Sequence, residues 1–395
     1  MSEFSFQTVP SLTFGEPAAD ALASMVAGVG ARRLMLVTDP GVRVAGLVDP
    51  VVAALETSGL TVAVYDDIEA DPPEAKVLAA VEAARAFGAE AIVGFGGGSP
   101  MDTAKLVALL VRAEQPLSEM YGVAQVDRSR VPGGRLPLFQ VPTTAGTGSE
   151  VTPIAIVTVG AEIKLGVVDP ILYADGAVLD PSLTTGLPPH VTAHTGIDAM
   201  VHAIEAYTTK LRKNPLSDSL ARQALLLLAS GLPRAMEDGS DLSARGDMLL
   251  GAMLAGQAFA NAPVAAVHAL AYPIGALFHV PHGLSNTQVL APVLRFNAET
   301  NPGLYAELAD LLVLDRAARS GSGTGSDADR AAAFIDFMAQ LTADCGVDPR
   351  LRSVGISHND LPKLAEDAMK QTRLLQNNPR EMTYETALAI YSAAL

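Results

Sequence analysis

Two stretches of the chain hold residues able to grip a metal ion. HTGIDAMVHAIEAY (194–207) sets Asp198 and His202 four residues apart, and VHALAYPIGALFHVPHG (267–283) adds His268 and His282. Six of the seven histidines fall between 190 and 282, an uneven distribution that raises the question of a metal. On a helix, positions i and i+4 lie one above the other on a single face, so Asp198 and His202 could address one ion while His268 and His282 reach it from other elements. One carboxylate and three imidazoles form a donor set suited to a divalent transition metal such as Fe²⁺ or Zn²⁺ rather than Ca²⁺ or Mg²⁺. The same spacing also fits plain core packing of an apolar helix, so the ligand reading needs support from elsewhere in the chain.

Composition narrows the field. The chain has 395 residues, a net charge of −16, 49% apolar residues and one cysteine, Cys345. The acidic balance argues against nucleic acid or an anionic membrane surface as a partner. A single thiol excludes an intrachain disulfide framework and any Cys-based zinc site. The N-terminal MSEFSFQTVPSLTFG lacks a basic segment followed by an apolar core, and no apolar run reaches the roughly 18 residues of a membrane span. The expectation is a cytoplasmic protein.

The elements that would position the candidate ligands fall into two halves. Up to about residue 185, apolar runs alternate with helical patterns. ARRLMLVTDPGV (31–42) and LTVAVYDDI (60–68) read as strands, and PEAKVLAAVEAARAFGA (73–89) reads as a helix closed near Gly88. AEAIVGFGGGSPMDTAKLVALLV (89–111) reads as strand, glycine turn and helix. LPLFQVPTTAGTGSEVTPIAIVTV (136–159), AEIKLGVVDP (161–170) and GAVLDP (176–181) supply further strands. This pattern predicts an α/β domain on a mainly parallel sheet. After Pro188-Pro189 the chain turns Ala- and Leu-rich with long 3.6-residue periods, as in 217–237 and 246–262, which predicts an all-helical second domain. The expected boundaries are 1–188 and 189–395, with SGSGTGSD (320–327) as a flexible loop.

GFGGGSPMDTAK (94–105) joins a strand to a helix through Gly96, Gly97 and Gly98. Backbone N–H groups there could approach a phosphate, and Pro100 suits a first helical turn. Asp39 ends an earlier strand, where an acid could hold ribose hydroxyls and repel a 2′-phosphate, which points to NAD over NADP. It could equally start the turn at Pro40-Gly41. PTTAGTGSE (142–150) offers four hydroxyls and two glycines that could line the same crevice.

Taken together, GGGSPMDTAK (96–105), PTTAGTGSEVT (142–152), LDPSLTTGLPPHVTAHTGIDAMVHAIEAYT (179–208) and VHALAYPIGALFHVPHGLSN (267–286) resemble the iron-containing (group III) alcohol dehydrogenase family, in the family's order. The resemblance implies a Rossmann-like dinucleotide domain followed by an all-helical metal domain, a dehydroquinate synthase-like architecture with cofactor and metal in the intervening cleft. It implies that Asp198, His202, His268 and His282 ligate Fe²⁺, or Zn²⁺. It places Asp39, Gly97, Gly98, Ser99, Asp102, Thr143, Thr144, Thr147 and Lys164 on the nucleotide and Leu183 near the nicotinamide. It implies reversible hydride transfer between a small alcohol or hydroxyacid and NAD, the ion acting as a Lewis acid on the substrate oxygen, in a homodimer or larger assembly.

Two departures stand out. Tyr272 occupies a position where many members carry a histidine, so a proton-transfer role for it falls to a phenol that titrates near 10. Asp71-Pro72 replaces a common Asn-Pro, placing an acid near the nucleotide if it points inward. His279 could orient a ligand from three residues before His282. His190 and His194 read as helix-entry residues, and His358 and Cys345 as uninvolved. Related chemistries with this architecture remain open at this level: a metal-free carbonyl reductase like maleylacetate reductase, a hydroxyacid–oxoacid transhydrogenase, and a cyclase of the dehydroquinate synthase type.

Overall fold

A computed structural model describes residues 3–15, 17–160, 163–312 and 325–395. Most of the expected loop 320–327 lies outside them. The chain forms two compact units: Thr8–Gly186, and Leu187–Leu395 together with the segment Met1–Gln7. Among the described residues no single helix is long and apolar enough to cross a membrane.

Among its described residues the first unit has nine strands. They are β1 (Leu12–Phe14), β2 (Arg33–Val37), β3 (Thr61–Tyr65), β4 (Ala91–Gly96), β5 (Gly122–Val123), β6 (Leu138–Pro142), β7 (Ile154–Val159), β8 (Ile163–Val168) and β9 (Gly176–Leu179). Six form one sheet in the order β1-β9-β6-β4-β2-β3, every pairing parallel. Its central members β4 and β6 are buried along their whole length. Unbroken apolar runs such as AIVGFG and LFQVP are what strands covered on both faces require. Helices α1 (Ala18–Gly28), α2 (Pro40–Val44), α3 (Val48–Thr57), α4 (Glu74–Phe87) and α5 (Gly98–Leu110) complete this unit. α4 ends at Gly88 in the left-handed conformation, as its sequence predicts.

The other three strands make a separate sheet, β5-β8-β7, in which β7 and β8 run antiparallel. The sequence marks both runs as strands but does not separate them from the main sheet. A tertiary anchor does. Lys105 on α5 is fully buried, and its Nζ donates to Ile154 O at 2.6 Å, Ser149 Oγ at 2.7 Å and Thr152 Oγ1 at 3.1 Å. Asp102, one turn earlier, accepts from Ile156 N at 2.9 Å. Together they fasten the start of β7 to α5.

The second unit shows no strand among its described residues. Its helices are α6 (Pro189–Thr208), α7 (Pro215–Glu237), α8 (Leu242–Asn261), α9 (Ala266–Phe278), α10 (His282–Ala298), α11 (Pro302–Leu312), α12 (Asp327–Asp344), α13 (Leu361–Met369), α14 (Thr372–Leu375) and α15 (Tyr384–Ala394). α6 starts on Pro189, directly after Pro188, where a missing N–H and a fixed φ carry no penalty. α7 and α8 begin on Asn214 and Asp241, whose side chains accept from Ser217 N and Ala244 N. The first residues also belong here. The Asn261 carboxamide bonds both Gln7 N and Gln7 O, each at 2.8 Å.

Candidate active site

Three helices bring the four predicted ligands together in the helical unit. α6 supplies Asp198 and His202 from one face. α9 supplies His268 from its first turn, and α10 opens with His282. α9 stops at His279, which is exposed and adopts φ 54°, and the chain turns through Val280-Pro281 into α10. Gly283 lets this corner close on α6: a Cβ there would stand 2.3 Å from His194 O. One donor atom from each of Asp198, His202, His268 and His282 lies within 4.8 Å of the others.

The surroundings prepare these donors for a cation. Asp198, His202 and His268 are each at most 5% exposed. Burial alone would raise the Asp198 pKa, but the imidazoles of His202, His282 and His268 and a hydrogen bond from Asn286 hold it below the ordinary value. Burial, reinforced by His202 and His282, keeps the His268 pKa well below its ordinary value, so this ring is neutral. His268 Nδ1 lies 2.6 Å from Glu205 Oε2, which leaves Nε2 facing the cluster. The Asn286 amide nitrogen lies 2.6 Å from Asp198 Oδ1, 3.3 Å from His268 Nε2 and 3.2 Å from His282 Nε2. Three acceptors thus converge on one point, while among the described residues the buried Oδ1 of the same amide has no hydrogen-bond partner. A carboxylate oxygen and imidazole nitrogens aimed at a common point fit a borderline divalent ion. Phe259 stacks on His202 with ring centroids 4.4 Å apart, and Tyr272 stands 5.9 Å from His282 by the same measure.

The glycine turn and the hydroxyl loop meet in the α/β unit. Thr143 N donates to Gly96 O at 2.9 Å. A Cβ on Gly98 would come 2.9 Å from Thr147 Cγ2, and one on Gly97 would come 3.5 Å from Thr144 Oγ1. The N-terminus of α5, beginning at Gly98, therefore opens beside Thr144 and Thr147, with backbone N–H groups and dipole oriented for an anion. Asp39 takes the turn-starting part allowed by its sequence and also faces the glycine turn. Its Oδ1 caps α2 by accepting from Val42 N at 3.0 Å, and its Oδ2 would stand 3.3 Å from a Cβ on Gly96.

The other residues that the resemblance assigns to the nucleotide have contacts of their own within the unit. Asp102 receives Ser149 Oγ at 2.6 Å, Lys105 Nζ at 3.2 Å and Ile156 N. Leu183 packs into the hydrophobic core beside Phe95 and Val178. Ser99 Oγ accepts from Asp71 N at 3.3 Å, and Lys164 Nζ pairs with Asp71 Oδ1. Asp71 turns toward this lysine while remaining exposed.

Two residues near the metal cluster escaped the sequence reading. Glu205 continues the Asp198–His202 face by three positions, and Asn286 follows His282 by four, so helical spacing carried the signal for both.

The model for iron-containing alcohol dehydrogenases matches residues 10–181, and the model for the C-terminal part of the Fe-containing alcohol dehydrogenase family matches residues 192–395. This chain belongs to the iron-containing alcohol dehydrogenase family. It is 38% identical over 380 residues to long-chain-alcohol dehydrogenase 1 of Geobacillus thermodenitrificans, covering 96% of this chain and 94% of that one. It is 35% identical over 391 residues to the sulfoacetaldehyde reductase of Bilophila wadsworthia, covering 99% and 98%. Among solved structures, a 1,3-propanediol oxidoreductase superposes with a TM-score of 0.92 at 33% identity, covering 100% of both chains. A sulfoacetaldehyde reductase from Bifidobacterium kashiwanohense in complex with NAD⁺ superposes with 0.87 at 26% identity, covering 100% of this chain and 99% of that one. As a member of the family, the chain is a metal-dependent alcohol dehydrogenase on a Rossmann-like plus helical scaffold.

Proposed function

We propose that Asp198, His202, His268 and His282 hold the catalytic divalent ion, Fe²⁺ in first place and Zn²⁺ in second, and that NAD(H) is the hydride partner for a small primary alcohol or its aldehyde. The observation carrying this reading is the convergence of one carboxylate and three imidazoles within 4.8 Å. When bound, the ion would supply Lewis-acid polarisation of the substrate oxygen and the nicotinamide would supply the hydride chemistry. The chain's own residues do the rest. Asp198, held ionised, offsets the charge of a cation in a buried setting. His268 presents a neutral nitrogen to it, and His282 a second imidazole. Tyr272 presents a phenol beside His282, placed to hold or pass on a hydroxyl proton. In the α/β unit, the N-terminus of α5 with Thr144 and Thr147 receives the pyrophosphate, and Asp39 Oδ2 the adenosine ribose. The carboxylate disfavours a 2′-phosphate, and this supports NAD over NADP. A cytoplasmic homodimer is part of the same proposal, resting on the resemblance rather than on any contact.

The deciding experiment is elemental analysis of protein purified without added metal or chelator, followed by Fe²⁺ and Zn²⁺ reconstitution and a screen of primary alcohols and diols with NAD. Near-stoichiometric metal that disappears in the His268→Ala protein, with activity falling by orders of magnitude and the fold kept, is the expected result. Wild-type-like turnover and metal content in that variant would refute the ligand assignment.

A further inference from the structure

Glu205 is buried in the helical unit, 3% exposed, and among the described residues no Lys or Arg side chain bonds to it. A buried carboxylate is costly unless its oxygens are hydrogen-bonded. Its two oxygens have separate tasks. Oε1 accepts from Val267 N at 2.6 Å, and Oε2 lies 2.6 Å from His268 Nδ1. Val267 and His268 are the second and third residues of α9, so the carboxylate sits on the open N–H end of that helix, where a negative charge is favoured. It rises from the same face of α6 as Asp198 and His202, at spacings i, i+4 and i+7. One side chain thus ties the helix carrying two of the ligands to the helix carrying a third.

We infer that Glu205 is a positioning residue for the metal centre. By accepting the Nδ1–H of His268 it fixes the tautomer with Nε2 as the ligand atom, and by holding Val267 N it fixes the height of α9 against α6. The inference rests on His268 being a ligand, as proposed above. The orientation of Asn286 agrees with this tautomer, since its amide nitrogen lies 3.3 Å from His268 Nε2. Carboxylates that take the far N–H of a ligating imidazole raise its basicity and hold its plane. Glutamine cannot replace Glu205, because its side chain offers one acceptor oxygen where two donors must be met.

The test uses metal-stripped full-length protein titrated with Zn²⁺ against a chromophoric chelator. Glu205→Gln is expected to weaken Zn²⁺ affinity about 10- to 100-fold and to shrink the rise in Tm that Zn²⁺ produces. A variant that lowers the Tm of the metal-free protein but keeps the full Zn²⁺-dependent rise, with affinity within about twofold of wild type, overturns the inference, because a purely structural role would do that. His268→Ala is the control for the underlying reading. If it binds Zn²⁺ normally, the ligand assignment fails and the inference falls with it; if it loses Zn²⁺ while Glu205→Gln does not, the inference fails alone. Should Glu205→Gln not fold, ¹⁵N-histidine NMR of the wild-type protein decides. An Nδ1-protonated His268 supports the inference, and an Nε2-protonated ring overturns it.

Discussion

Lys164 Nζ lies 2.7 Å from Asp71 Oδ1, and the lysine is the more buried partner, with 15% of its side chain exposed against 54% for the aspartate. Asp71 is pinned in this position. Its φ of 54° is one that Asp and Asn tolerate, its N–H donates to Ser99 Oγ, and its carbonyl accepts from Thr158 Oγ1 at 2.8 Å. An asparagine would keep the turn but leave the lysine unneutralised.

Asp71→Asn should therefore tighten NAD⁺ binding if Lys164 contacts the nucleotide. A half-exposed pair is worth up to about 1 kcal/mol, so the gain should be about two- to fivefold in Kd and smaller at high salt. Calorimetric titration at two ionic strengths measures it. An unchanged Kd at both would mean that Lys164 does not face the nucleotide.

Asp39→Asn separates its capping of α2 from the nucleotide role proposed for it. Asparagine caps a helix about as well as aspartate, so α2 should stay intact while the charge disappears. The ratio of kcat/KM for NADP to that for NAD should rise about tenfold or more, equivalent to about 1.4 kcal/mol. A ratio that stays put would leave Asp39 as the cap of α2 and nothing further.

Glu150 gives a pH prediction within the α/β unit. It is 2% exposed, and burial raises its pKa from 4.5 to about 7, with Lys105 partly opposing the shift. Between those two values the folded chain holds a proton that the unfolded chain has released. Stability from this group is therefore complete below about pH 4.5 and is lost as pH rises to about 7, by on the order of 3 kcal/mol at most. Glu150→Gln should remove that loss, so the gap between its Tm and that of wild type should widen from pH 5.5 to pH 8. Parallel Tm curves would place Glu150 in a wetter setting than its burial indicates.

The legible parts of this chain were those written in local pattern. Buried runs such as AIVGFG announced the central strands, and the Pro188-Pro189 change marked the turn to helix. The metal donors stood out through histidine crowding. What escaped depended on partners distant in sequence. The separate β5-β8-β7 sheet follows from Lys105 and Asp102 reaching 49 and 54 residues ahead. Glu205 looked like any glutamate on a helix because its partner His268 lies 63 residues on. The motif match assigns Leu183 to the nicotinamide, and chain order alone does not show that the same residue also joins the apolar core of its unit.

The bonds between Gln7 and Asn261 bear on how the chain is made. Synthesis delivers the N-terminal segment first, yet its partner emerges 254 residues later. Everything from Thr8 to Gly186 can fold as a complete insertion while that segment waits, since all six strands of the main sheet are already present. Closing so long a loop from an unfolded chain carries an entropic cost that grows with the logarithm of its length, and a prefolded insertion shortens the loop that remains. The helical unit thus draws on residues from both sides of the α/β unit, and loss of Gln7 would remove bonds from a unit that resumes only at Leu187.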